Sequence, residues 1–226
     1  MKRIVLTSAF ITLLIISCKT DKKAETVAIA PEQTILEKVA YASGYENWKD
    51  IASLKFTFNV DRDTIHSERK WIWNIAANEV TGMSFGDSVT YNRAAVDSIT
   101  AKADAAFIND KYWMLAPFNL IWDQNNFTYQ LDSLAEAPIS KESLKKLTIV
   151  YGSEGGYTPG DAYDFYFGDD YLVREWAFRK SNQAAPNLIT TWEDYQNIEG
   201  LKIASMHKNA EGTFSISFTG LEATLR

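Results

Sequence analysis

The sequence predicts a mainly β protein of the α+β class, built on a single curved antiparallel sheet. Three observations predict it. About ten short segments alternate apolar with polar residues, and turn signals such as Gly155-Gly156, Pro159-Gly160 and Glu199-Gly200 separate them. Only two or three stretches carry helical spacing instead. Successive short strands joined by local turns pair antiparallel, and such a sheet coils as it twists.

The chain opens on Lys2-Arg3, an apolar run from Ile4 to Ile16, then Ser17 and Cys18, the single cysteine. The run falls short of the ~20 residues of a membrane span. It reads as an export signal over residues 1–17, and the thiol of Cys18 is a nucleophile able to accept a diacylglyceryl group. The segment resembles the lipobox of bacterial lipoproteins, whose mature chain begins at the modified cysteine. That resemblance implies a membrane partner, reached through a lipid anchor at Cys18. It also implies an address in the cell envelope, at the outer membrane, on its periplasmic or surface-exposed face. An ordinary signal peptide with a chance cysteine, or a buried thiol, are the alternatives.

Without Lys2 and Arg3, 21 basic groups face 29 acidic ones. A chain this acidic has no electrostatic basis for binding nucleic acid. The basic cluster Lys19–Lys23 belongs to a polar, Ala-rich stretch that reads as a flexible linker over residues 18–31. Residues 32–226 are long enough for one domain with a sizeable core, and no second cysteine offers a disulfide. Four tripeptides, Asp63-Thr64-Ile65, Asp87-Ser88-Val89, Asp97-Ser98-Ile99 and Asp132-Ser133-Leu134, look like the O-glycan acceptor of some Gram-negative bacteria. Turn chemistry explains the same pairs equally well.

Pro31 opens a helix with Ile35, Leu36 and Val39 on one face, stopped at Gly44. Strands are expected over 54–60, 66–75, 79–85 and 89–91. Ala101–Leu115 reads as helical through Phe107, Ile108, Tyr112 and Leu115, and Pro117 limits it. A strand at 112–115 is the other possibility. Ser140 suits the N-cap of a short turn carrying Leu144 and Leu147. Strand character returns at 147–151, 163–167, 172–178, 188–195, 201–206 and 214–218. Leu172, Arg174, Trp176 and Phe178 share one face, and Phe214, Ile216 and Phe218 another.

The late stretch Tyr171-Leu172-Val173-Arg174-Glu175-Trp176-Ala177-Phe178, followed by Thr191-Trp192-Glu193-Asp194-Tyr195-Gln196-Asn197-Ile198-Glu199-Gly200-Leu201-Lys202-Ile203, resembles the paired final strands of the LolA/LolB-like lipoprotein carriers. Ser53–Asn59 resembles their first strand. The likeness implies an unclosed half-barrel whose open side is covered by helices, around an apolar cavity for acyl chains. No functional residue of the carriers finds a match here.

Chemistry-bearing motifs are scarce. His66 and His207 lack second ligands at metal spacing, and 152–156 has neither a nucleophile elbow nor a phosphate loop. Asp161, Asp164, Asp169 and Asp170 are more simply turn residues than calcium ligands. No cofactor is implied. The aromatic residues are the strongest signal: Phe56, Phe58, Trp71, Trp73, Trp113, Trp176, Phe178 and Trp192 are either core or the lining of a cavity. Trp113, Phe118 and Trp122 would contribute to a lid. Arg174, sharing a face with Trp176, pairs with a carboxylate or meets an anionic head group. The reading is a non-catalytic, lipid-anchored envelope protein that binds an apolar or lipidic ligand. Its competitors are a carbohydrate-binding lipoprotein using Tyr157, Tyr163 and Trp113 on an outer face, a structural lipoprotein, and a hydrolase with paired carboxylates.

Overall fold

In the computed structural model, residues 32–84 and 87–226 are described; the signal segment, Cys18 and the linker lie outside them. Among the described residues no helix is long and apolar enough to cross a membrane.

The first helix, α1 (Ile35–Ala42), starts on Thr34. The Thr34 hydroxyl accepts the Glu37 N–H, and the Glu37 carboxylate accepts the Thr34 N–H at 2.7 Å. This reciprocal cap defines the N-terminus, and Pro31, expected to open the helix, lies outside the described residues. The helix ends at Gly44 as expected. Gly44 has φ +84°, and a Cβ there would stand 2.0 Å from the Gly200 carbonyl oxygen, so only glycine fits this approach. A 3-10 turn over Tyr45–Asp50 then delivers Trp48 to the core.

A meander follows: β1 (Ile51–Arg62), β2 (Ile65–Asn74), β3 (Glu79–Ser84) and β4 (Asp87–Asn92). After α2 (Ala101–Trp122) come β5 (Phe127–Glu136), β6 (Ser143–Tyr151), β7 (Ala162–Phe167), β8 (Val173–Arg179), β9 (Leu188–Thr191), β10 (Glu193–Ile198), β11 (Leu201–Lys208) and β12 (Phe214–Leu225). The ladders form a seven-stranded sheet, β10-β11-β12-β1-β2-β3-β4, and a five-stranded sheet, β5-β6-β7-β8-β9. Only Trp192 separates β9 from β10, and its N–H still bonds the Arg174 carbonyl at 2.7 Å. One bent strand is therefore shared by both sheets, and the expected curved antiparallel surface continues through it. The surface does not close, because β4 and β5 are its free edges.

The second helix connects those edges. Every residue from Tyr112 to Leu120 is buried, so this half has no solvent-facing stripe and must be enclosed on all sides. Contrary to expectation, Pro117 does not limit it. The backbone leaves helical geometry at Leu115 (φ −121°, ψ 26°), which relieves the proline clash, and the helix resumes to Trp122. The expected turn at Ser140 is also corrected: Leu144 and Leu147 belong to β6. The N–H groups of Ile139 and Ser140 bond the buried Glu175 carboxylate, each at 2.7 Å, so a distant side chain does the capping.

The remaining polar assignments resolve locally. Arg174 pairs with Asp170, Asp164 with Arg179 and Asp169 with Lys145. Asp161 accepts the Ser181 N–H, which accounts for the fourth turn aspartate. His66 bonds Asp61 at 2.7 Å on the surface. Thr64, Ser88, Ser98 and Ser133 of the four tripeptides are all exposed. In one of them Asp97 caps its own turn through the N–H groups of Ile99 and Thr100.

Candidate functional site

Two cavities flank α2, and its residues enter both. The first, about 370 Å³, is roofed by Tyr112 and Trp113 and walled by Phe58 and Val60 of β1, Trp176 and Phe178 of β8, and Phe214 and Ile216 of β12. Strand alternation explains this wall: residues two apart project to the same side, so each strand contributes a pair. Tyr163 of β7 lies between them, its ring 5.4 Å from both Trp176 and Phe178, and Trp113 lies 4.7 Å from Trp176. Tyr157, from the β6–β7 loop, stacks on Tyr112 at 3.9 Å and 4°. Burial pushes the phenol of Tyr112 well up, so it stays neutral.

Two guanidinium groups border this Trp113 cavity. Arg69 of β2 lies 5.1 Å over the Phe58 ring and gives two hydrogen bonds to Asp110 of α2. Asp110 also accepts the Trp71 indole N–H at 2.8 Å and the Asn109 amide at 3.0 Å. These bonds hold the Arg69 charge, raising its pKa further. Arg62 lies 5.5 Å over Phe214 and has no ion pair among the described residues.

The second cavity, about 410 Å³, lies on the Trp122 side of α2. Ile108, Lys111, Asn119 and Trp122 meet it, at spacings that share one helix face. Trp48, Trp73, Arg93 and Asp123 complete most of its lining, and Tyr157 borders it as well as the Trp113 cavity.

Of the residues singled out from sequence, Phe58, Trp113, Trp176 and Phe178 converge on the Trp113 cavity, and Trp73 on the other. Phe56 packs on Phe218, Trp71 on Phe107 and Trp192 on His207, and these three line neither cavity. Trp113 and Tyr163, expected on an outer face by the carbohydrate reading, are buried instead. Sequence reasoning missed Tyr112, Arg62 and Arg69. The alternation of β1 points to Arg62, since it shares a face with Phe58 and Val60. The Arg69–Asp110 pair spans 41 residues and leaves no local trace.

No protein-family model matches the chain, and no curated protein does. Solved structures do. A LolA superfamily protein from Nitrosomonas europaea aligns over 84% of this chain and 92% of its own, with TM-score 0.50 and 12% identity. A DUF1329 family protein from Desulfovibrio piger covers 84% of this chain and 91% of its own, with TM-score 0.48 and 10% identity. At this identity the likeness concerns architecture: the chain has a LolA-like fold.

Proposed function

We propose that the protein binds an apolar or lipidic molecule in the Trp113 cavity, without catalysing its conversion, while a lipid on Cys18 holds it in the cell envelope. The observation that carries this reading is the convergence of Phe58, Trp113, Trp176 and Phe178 on one cavity beneath α2. The LolA-like architecture of the Nitrosomonas neighbour agrees with it. A volume of about 370 Å³ is near the low end of the ~300–1,000 Å³ typical of small-molecule pockets, and suits one chain or a compact apolar body. Each Å² of apolar ligand surface removed from water contributes about 25 cal/mol. Arg62, without an ion pair among the described residues, would meet an anionic head group at the border, and α2 would act as the lid.

Titration with a fluorescent fatty acid tests the reading. Saturable binding to the purified protein, weakened at least about tenfold in Phe178→Glu with unchanged secondary structure, supports it. Absence of saturable binding contradicts it. The anchor is tested separately, by the mass of the protein made in a Gram-negative host. A diacylglyceryl adduct on Cys18, absent in Cys18→Ser, is expected.

A further inference from the structure

The Trp122 cavity is built differently from its neighbour. Trp48 stands 5.0 Å from Trp122 and 5.4 Å from Trp73, centroid to centroid, which makes a continuous aromatic wall. Polar side chains with unused hydrogen-bonding capacity face that wall. The Lys111 ammonium lies 4.9 Å over the Trp122 ring and has no carboxylate within ion-pair distance among the described residues. Asn119 is 4% exposed, and its carboxamide has no hydrogen-bond partner among the described residues. Arg93 commits its Nε to Asp104 at 2.8 Å, and among the described residues both terminal nitrogens are without a hydrogen bond.

Buried polar groups normally find partners, and an unpaired buried cation is costly to hold. Asn119 is buried and Lys111 half-buried, about two helical turns apart, and both reach one cavity without a partner among the described residues, which describes a site whose partner comes from outside the chain. Desolvation, with the nearby Arg93 charge, pulls the Lys111 ammonium down to about 8, and the more distant carboxylates of Asp123 and Asp104 offset this only in part. Asp123 also faces the cavity and uses one oxygen to accept the Tyr151 hydroxyl at 3.0 Å. Its second oxygen asks for a donor. The site thus offers cations for an anionic group, an amide and a carboxylate for hydroxyls, and indole rings inclined at 43° and 63° to one another as an apolar wall for a ring.

We propose that the Trp122 cavity is a second binding site, for a small hydroxylated organic anion of the acidic-sugar class, with its anionic group on Lys111 and its ring against Trp48 and Trp122. Uronates and sugar phosphates share this chemistry. The site lies on the other side of α2 from the Trp113 cavity and does not depend on a lipid being bound there.

The test is titration of the purified protein with D-glucuronate, glucose 1-phosphate and uncharged glucose, read by tryptophan fluorescence and by ligand-induced shifts in thermal unfolding. Saturable binding of at least one anion is expected, with glucose about tenfold weaker or worse. Lys111→Met should weaken the anion about tenfold or more, and Asn119→Ala should weaken it by a smaller factor. Phe178→Glu, in the other cavity, should leave it unchanged. Thermal unfolding of each ligand-free variant reports whether it folds, and either Lys111→Met or Asn119→Ala alone suffices. Failure of both anions to bind, or binding by a folded Lys111→Met protein as tight as the parent's, overturns the proposal. A fatty-acid result in the Trp113 cavity bears on neither outcome.

Discussion

Asp110 of α2 and Arg69 of β2 are joined by two hydrogen bonds of 2.7 and 2.6 Å, and the carboxylate is completely withdrawn from solvent. Asp110 sits mid-helix, where a short acid has no intrinsic reason to be. Its place is fixed by what it accepts: the Arg69 fork and the Trp71 indole N–H. The pair ties the lid helix to the sheet wall and borders the Trp113 cavity through Arg69. Attraction in a low-dielectric setting is offset by desolvation, so the pair's net worth is small, but breaking it on one side is not.

Asp110→Ala should therefore destabilise by about 3 kcal/mol, toward the lower end of what breaking a buried pair costs, because Arg69 is 30% exposed and recovers some hydration. Asp110→Asn, which keeps an acceptor and loses the charge, should cost less, about 1–2 kcal/mol. Urea unfolding of the three proteins measures both differences. Equal stability of Asp110→Ala and the parent would remove this pair from the account of how α2 is held.

Acidification should weaken the fold through His207. The imidazole is fully buried between Trp113, Trp192 and Phe218, with Nδ1 3.3 Å from the Thr191 carbonyl, and desolvation lowers its pKa to about 3. The unfolded chain takes up a proton near pH 6.5 and the folded one does not. Stability from this group is whole above that value and falls as pH drops toward 3, by up to about 1.4 kcal/mol per unit. His207→Phe keeps a ring in the aromatic nest and should flatten the pH dependence between 6.5 and 4.5 relative to the parent. Parallel profiles would contradict the assignment.

The close approach of Gly44 to Gly200 makes a third prediction. The Lys202 N–H bonds the Ser43 carbonyl at 2.9 Å, and the Asn47 amide bonds the Gly200 carbonyl at 3.1 Å, so the end of α1 is fixed to the β10–β11 turn. Gly44→Ala adds a left-handed strain and a backbone clash together, and should cost about 3 kcal/mol or more. Thermal unfolding reads this directly; a loss below about 0.5 kcal/mol would show the turn free to move aside.

Elements with one buried face were legible in the sequence. Phe56 and Phe58 in β1, or Ile216 and Phe218 in β12, alternate with more exposed residues and announce a strand. The exit of α1 was equally plain, because Gly44 is a local signal. β5 was missed although Phe127, Tyr129 and Leu131 alternate with Thr128, Gln130 and Asp132; it is an edge strand, Tyr129, Leu131 and Leu134 are exposed, and the pattern breaks at Ser133-Leu134, where the register also shifts. The run of α2 past Pro117 was hidden for a different reason. Burial on every side favours keeping the helix, and a kink at Leu115 removes the clash that a local rule would count. At the site, aromatic residues were easy to nominate and hard to sort, since core and lining positions alternate with the same period. Phe56 and Phe58 are two residues apart on one face, and only Phe58 reaches the cavity. The polar members escaped because their partners are distant in sequence, as Asp110 is from Arg69. The face carrying Lys111, Asn119 and Trp122 was available from helical spacing, once the helix was known to continue through Pro117.

Occupancy of the Trp113 cavity by an apolar or lipidic molecule is the proposal on which the lid role of α2 and the head-group role of Arg62 depend. Native mass spectrometry of the protein purified from a bacterial envelope, with extraction and identification of bound small molecules, tests it most directly. A co-purifying lipid or fatty acid is expected, lost in Trp176→Glu while the far-ultraviolet spectrum stays that of the parent. A clean ligand-free mass that takes up no added lipid would contradict it.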